Sequence, residues 1–278
     1  MRALALTAAW PVPHVAAAAV LPDGSIATIG DASRPYRIAS VAKMLVGWTV
    51  LVAVEEGTVH LDQPAGQNGC TLRHLLAHTG GYPFSGTTPI ASPGLRRNYS
   101  NTGIEMAAEV VAEAAGMPYA EYQYEAVLEP LGMTATIVHG SPAHEVSSTV
   151  DDLVRFVHEL RSPTLLSAES ALAYRSVQFP GLPGLVPGVG RYADCPWGLA
   201  TEIRGEKDPH WTGRRNSPGT FGHFGGSGTL LWVDTGAHVA CLALTDRAFD
   251  EWSAEALVRW PELADAVLDE VAATRGAA

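Results

Sequence analysis

Ser40-Val41-Ala42-Lys43 places a hydroxyl and an amine three residues apart, on one face of any helix that runs through them. A serine at a helix start also feels the field of the helix N-terminus, which favours an alkoxide. A lysine beside it can act as its base once burial lowers the ammonium pKa. The pattern is short and recurs by chance, its plain reading being a helix-capping Ser followed by a solvated Lys. Composition argues against that reading. Of the 18 basic residues only Lys43 and Lys207 are Lys, and Lys43 stands in an otherwise apolar stretch. An idle ammonium buried there would cost on the order of several kcal/mol.

Tyr99-Ser100-Asn101 stands just ahead of Thr102-x-x-Glu105, which reads as a helix capping box. A phenol beside a Lys can be depressed toward phenolate and serve as base, and an Asn amide can hold a substrate carbonyl. Taken alone, the same residues read as loop packing and a turn. The third element is His223-Phe224-Gly225-Gly226-Ser227-Gly228-Thr229. Alternation from Phe221 suggests an exposed edge strand whose glycines let another backbone approach. A substrate paired along such a strand would meet a main-chain N–H aimed at an oxyanion. Gly225-Gly226-Ser227-Gly228-Thr229 is not a GxSxG nucleophile elbow, because Thr stands fifth and no helix follows.

The elements that must position these groups follow from patterning. Val15 to Leu21, Pro22-Asp23-Gly24 and Ser25 to Ile29 predict a β-hairpin around an Asp-Gly turn. A helix is expected from Ser40 to Glu56, apolar nearly all round and therefore buried, with Gly57 as its stop. Shorter helices are expected over 71–78, 102–115 and 118–128, and another capped by Ser148/Thr149 through Arg161. Residues 179–196, rich in Gly and Pro, read as a long irregular connection. Strands are expected at 197–203, 221–225, 229–233 and 238–245, and a helix at 254–273. Strands at both ends with helices between imply an α+β (α/β) fold, an antiparallel sheet flanked by helices plus an all-helical lobe. The whole chain, 1–278, is then a single catalytic domain, with sub-lobes 1–57 plus 195–278 and 58–194, and a crevice between them.

Composition removes several function classes. The chain has 278 residues, 47% hydrophobic and 17% charged, and a formal charge of −11. That balance argues against nucleic acid or anionic membrane as the main partner. Met44 to Val54 is too short an apolar run to insert in a bilayer. Cys70, Cys195 and Cys241 are too scattered for a disulfide scaffold or a cysteine zinc site. His74 and His78 lie four apart but lack a third ligand nearby, so no metal and no cofactor is expected. Asp151-Asp152 and Glu55-Glu56 read as helix-end charges, and Cys195 as an idle thiol. The Ala-rich start resembles a secretion signal only weakly; cleavage there would delete the first strand of the hairpin, so a cytoplasmic location is expected.

Taken in order, these elements resemble the serine β-lactamase and penicillin-binding protein superfamily. The nearer look is to the class C β-lactamases, D-alanyl-D-alanine carboxypeptidases and family VIII esterases. That group carries SxxK, Tyr-x-Asn and a Lys/His-x-Gly strand, matched here by Ser40–Lys43, Tyr99–Asn101 and His223–Gly225. Leu72 to Gly81, Pro130-Leu131-Gly132-Met133 and Ser148-Thr149-x-Asp151-Asp152-Leu153 look familial as well, so the likeness covers about residues 10–275. It implies Ser40 as nucleophile, Lys43 with Tyr99 as the proton-transfer pair, and Asn101 against the substrate's acyl side chain. The oxyanion would lie between the N–H groups of Ser40 and Gly226, with His223 and Gly225 lining the pocket from the strand. His in place of Lys at 223, and a chain short for the class C group, favour a small ester over efficient lactam hydrolysis. The partner is then a small ester, amide or lactam. Acyl transfer to a small acceptor, a β-lactamase or carboxypeptidase activity, and a non-catalytic binding protein stand as the alternatives.

Overall fold

The computed structural model describes residues 1–276. A 3-10 turn (Ala3–Ala9) precedes strands β1 (Val15–Val20), β2 (Ile26–Ile29) and β3 (Tyr36–Arg37). Helices α1 (Ala42–Glu55), α2 (Leu72–Leu76), α3 (Asn101–Ala115) and α4 (Tyr119–Gln123) follow. Then come β4 (Ile137–Val138), β5 (Val146–Ser148), α5 (Val150–Arg161) and α6 (Ala168–Tyr174). The chain continues through β6 (Gly184–Val186), β7 (Gly190–Tyr192), β8 (Glu202–Ile203), β9 (Phe221–Gly225), β10 (Thr229–Asp234) and β11 (Val239–Thr245). It closes on α7 (Ser253–Gly276).

Val15 to Val20 is apolar on both sides, the composition of a strand covered on both faces. As β1 it pairs antiparallel with β2 and with β11, so the N-terminal hairpin joins the C-terminal strands in one sheet, ordered β2-β1-β11-β10-β9-β8. Side-chain alternation divides the core. Ala16, Ala18 and Val20 face the layer that contains α1 and α5. Ala17 and Ala19 face α7, where Trp10, Trp252 and Trp260 fill the space. Short strands β3, β5 and β4 make a second small sheet beside the start of α1.

Several local expectations change. Ser40 lies on a 3-10 turn (Ala39–Val41) immediately before α1, and Ala39 is left-handed at φ 45°. Helix α3 is capped by Ser100, whose hydroxyl accepts from Gly103 N–H at 2.9 Å, so Thr102 lies inside the helix. Glu105 accepts instead from the Ser141 hydroxyl. Residues 179–196 are not wholly irregular, since β6 and β7 form a hairpin there. Helix α6, absent from the sequence reading, is capped by Ser167. Of 197–203 only Glu202 and Ile203 are strand, because the chain turns through a left-handed Ala200 at φ 61°. Strand β9 is covered along its whole length and lies next to the edge; β8 pairs only with Phe221 and Gly222. The ladder on that side therefore stops before His223.

Candidate active site

Helix α1 is apolar nearly all round and buried, and it carries Lys43 to a position with no solvent exposure. The ammonium is not left without partners. Nζ donates to Ser40 Oγ at 3.0 Å, to Asn101 Oδ1 at 2.6 Å and to the Ala143 carbonyl at 2.9 Å. It also stands 5.0 Å from the centroid of the Tyr99 ring. All three acceptors are formally neutral, so nothing in contact compensates the buried charge. Desolvation pulls the Lys43 pKa down to about 7, against a weaker upward pull from Glu105.

Ser40 is held by the turn it faces. Thr229 Oγ1 donates to the Ile38 carbonyl at 3.0 Å and Ser227 Oγ to the Arg37 carbonyl at 2.5 Å. Gly225 permits this approach, since a Cβ there would come 2.4 Å from the Ile38 oxygen. The Ser40 side and the Gly226 side of the crevice are thereby fixed together, and both residues line the cavities on either side of it.

Tyr99 is buried around its hydroxyl, which lies 3.3 Å from His223 Nε2. His223 Nδ1 lies 2.6 Å from the Phe224 carbonyl, an acceptor only, so Nδ1 carries the proton and Nε2 accepts from the phenol. Burial, reinforced by Lys43, lowers the His223 pKa to about 3, and the imidazole is neutral at pH 7. The Tyr99 phenol departs from expectation. Burial pushes its pKa well above the usual range, only partly opposed by the Ser40 hydroxyl, so it is held as phenol and not depressed toward phenolate. Asn101 accepts from Lys43 on its side-chain oxygen, which leaves its amide N–H groups to face a ligand.

The sequence reading missed several groups. The Ala143 carbonyl has no side-chain signature at all. Arg97 is buried and donates to the carbonyls of Ala77 at 2.8 Å, Phe179 at 2.9 Å, Cys195 and Gln178, tying together the segments behind Tyr99. Trp197 packs its ring 5.7 Å from that of Tyr99. Glu202 lines the crevice, and an isolated acid in an apolar run is the signal that could have found it. Its Oε1 lies 3.0 Å from both Lys207 Nζ and His210 Nε2, and Oε2 accepts from Trp211 Nε1 at 2.7 Å. Burial opposes the carboxylate, but these partners hold its pKa well below the usual range.

The remaining candidates are engaged elsewhere. His74 stacks on Phe179 with centroids 4.3 Å apart, while His78 packs edge-on to Trp197 at 4.6 Å. Among the described residues no group of three or more His, Cys, Asp or Glu is placed to hold a metal ion. All three thiols are buried, and burial raises the pKa of each, Cys70 to about 11 and Cys241 to about 12. Among the described residues no helix is long and apolar enough to cross a membrane.

Comparison with known proteins bears on this arrangement. The family model described as Beta-lactamase matches residues 14–265. A crystal structure of a β-lactamase from Mycobacterium bovis superposes with a TM-score of 0.93 at 48% identity, covering 97% of this chain and 99% of that one. EstCE1, a hydrolase with promiscuous acyltransferase activity, shares the fold at a TM-score of 0.76 and 16% identity, over 95% of this chain and 97% of that one. The D-alanyl-D-alanine-carboxypeptidase/endopeptidase AmpH of Escherichia coli (strain K12) is 27% identical over 143 residues. That match takes in 38% of this chain and 37% of AmpH, so the chain spans little more than a third of that relative's length.

Proposed function

The chain belongs to the Beta-lactamase family, a family of serine hydrolases, and from that premise we propose that it acts through an acyl-Ser40 intermediate on small uncharged esters, in preference to lactams. One observation carries the reading: a fully buried Lys43 with a pKa near 7 stands 3.0 Å from the Ser40 hydroxyl. About half of such a lysine is free amine at neutral pH, the state in which it can take a proton.

In the proposed sequence Ser40 Oγ bonds to the substrate carbonyl carbon as its proton passes to Lys43 Nζ. The carbonyl oxygen becomes an oxyanion between the N–H groups of Ser40 and Gly226. Collapse breaks the bond to the leaving oxygen, which takes the proton of the Tyr99 phenol, and Lys43 returns a proton to Tyr99. Water then attacks the acyl-serine by the reverse proton path, releasing the acid and restoring Ser40. A phenol held protonated by its surroundings suits the donor step. Asn101 supports the amine through its side-chain oxygen and lines the cavity on the acyl side.

The ester preference rests on charge. His223 is neutral and buried, and its one N–H is engaged by the Phe224 carbonyl, so its side chain offers a carboxylate-bearing lactam neither a cation nor a free donor. The test is intact-mass spectrometry after a fluorophosphonate, mapped to the Ser40 peptide, with kcat/KM for p-nitrophenyl butyrate and for nitrocefin. One adduct on Ser40 and a faster ester are expected. Labelling that survives Ser40→Ala removes the nucleophile assignment, and nitrocefin faster by about tenfold or more removes the ester preference, tenfold being near 1.4 kcal/mol of transition-state discrimination.

A further inference from the structure

Ser40 stands between two cavities of different character. One is wide and polar-rimmed and includes Arg37, Asn101, His144 and Asp246. The other, of about 200 Å³, is walled by Phe84, Val186, Pro187, Trp197, Phe224 and Phe249. Tyr99 and His223 line the second and not the first, whereas Asn101 lines the first and not the second. The β6–β7 hairpin forms part of the aromatic wall, and its turn is seated hard against it. Gly188, left-handed at φ 75°, has no room for a Cβ, which would come 2.6 Å from a ring carbon of Phe249.

We propose that this aromatic cavity receives the leaving group, and that the leaving group is a single uncharged aromatic ring, making the preferred substrates aryl esters. The assignment rests on the acyl-Ser40 reading above and adds to it the side and the chemistry of the departing alcohol. The side follows from Tyr99. A proton donor must reach the departing oxygen, and the phenol lines this cavity. The size follows from volume. An apolar cavity of about 150 Å³ is enough to take benzene, so about 200 Å³ has room for one ring with a small substituent. The shape follows from the walls, whose rings offer edge and face contacts to another ring.

The absence of charge follows from the ionisable groups around the space. Glu202 lines it, but its carboxylate is bound to Lys207, His210 and Trp211. Lys207 is turned away from any ligand, donating to the Pro196 carbonyl at 3.3 Å and the Ile203 carbonyl at 2.5 Å. Asp250 is exposed on the lining. The cavity therefore holds no free cation to pair a carboxylate, and an anionic ring would be desolvated against acidic neighbours.

The experiment compares acetate esters whose alcohols have matched acidity, so that intrinsic leaving ability cancels. Phenyl acetate is set against hexafluoroisopropyl acetate, and 4-carbamoylphenyl acetate against 4-carboxyphenyl acetate. The expected results are a kcat/KM advantage of about tenfold or more for the ring, the scale of burying one aromatic group, and a loss of similar size for the carboxylate. Phe249→Leu, and independently the milder Val186→Ala, both on walls of this cavity and not of the other, should each shrink the ring advantage while leaving a phenylacetyl-over-acetyl preference on the acyl side unchanged. Equal rates for the matched pair overturn the proposal. So does a ring preference that follows the acyl side in either variant. Each measurement is accompanied by fluorophosphonate labelling of Ser40: labelling without ring preference rejects the leaving-group assignment alone, whereas no labelling of the wild-type protein rejects the acyl-serine reading beneath it.

Discussion

His78 takes the backbone N–H of Ser100 on Nδ1 at 3.2 Å and packs its ring against that of Tyr99, the centroids 4.7 Å apart. Its carbonyl accepts from Asn98 N–H at 2.8 Å, so one residue brackets the segment that carries the phenol. The geometry requires His78 to be left-handed, at φ 57°, and its imidazole to be neutral. Burial, with Lys43, His223 and Arg97 adding to it, holds its pKa well below the usual imidazole range. His78 lines neither cavity beside Ser40, and we infer that it acts by positioning the segment that carries the phenol.

His78→Ala should slow fluorophosphonate labelling of Ser40 and lower kcat by about tenfold or more, since an orphaned buried N–H costs about 1–3 kcal/mol and the turn is free to relax. Asn tolerates the left-handed backbone and offers an oxygen near the position of Nδ1. His78→Asn should recover most of the lost rate. Equal damage by Ala and Asn would mean that ring packing, and not the Ser100 hydrogen bond, sets the phenol's position.

The Lys43 pKa near 7 gives a signed pH dependence. The reactive form is the free amine, so acylation of Ser40 should rise through pH 6 to 8 with a midpoint near 7 and level off above it. Lys43→Arg keeps the charge but cannot lose its proton at any useful pH. It should remove the rising limb and cut acylation by several decades, on the order of what a nucleophile-activating group is worth. A wild-type profile flat from pH 6 to 8 would exclude Lys43 as the proton acceptor, as would near-wild-type acylation by Lys43→Arg.

Tyr99 makes the complementary prediction. Its phenol is held up by burial, so no phenolate should appear below about pH 10, the unperturbed tyrosine value. Ultraviolet difference titration of wild type against Tyr99→Phe tests this directly, and a tyrosinate signal lost in the variant and titrating near pH 7 would restore the phenolate-base reading. Tyr99→Phe should lower kcat by about 10²–10⁴-fold, the usual range for a positioned proton donor. The loss should be smaller for substrates whose leaving group needs no proton, such as p-nitrophenyl esters.

What was legible in the sequence was local. Lysine scarcity and an apolar setting marked Lys43 as something other than a surface charge; Lys207 stands among charged residues in the sequence and carried no such signal, yet it is buried against Glu202 at 3.0 Å. The β strands were readable because β1, β10 and β11 are continuous apolar runs bounded by turns. The cap of α3 was misplaced because Thr102-x-x-Glu105 has the form of a capping box, whereas Ser100 caps the helix through Gly103 N–H with no acid or amide at that position to signal it, and Glu105 turns toward Ser141. The strand at 197–203 failed at Ala200, whose left-handed backbone no propensity signals. The Ala143 carbonyl and the Arg97 clamp were invisible for another reason. Their roles lie in contacts with residues far away in the chain, 100 positions for Lys43 to Ala143 and 98 for Arg97 to Cys195.

The buried neutral imidazoles also set the acid limit of the fold. His223 titrates near 3 and His78 well below 6.5 in the folded protein, whereas both titrate near 6.5 when unfolded. Between those values the unfolded chain binds protons that the folded one does not, so stability must fall as pH falls from about 6.5 toward 3. His210 is depressed in the same direction and adds to the slope. Lys43 does not, since below pH 6 it is protonated in both states. The carboxylates held low, Glu202 and Asp234 among them, enter only as pH approaches their unfolded values near 4. Each imidazole contributes about 1.4 kcal/mol per pH unit where its linkage is complete. Urea unfolding at 25 °C between pH 6 and 4.5 should therefore show a free energy falling by roughly 2–4 kcal/mol per unit. His223→Gln should reduce that slope by about one imidazole's share, whatever its effect on the stability at pH 7. A free energy independent of pH over this range would show that His78 and His223 are solvated well enough in the folded protein to take up protons.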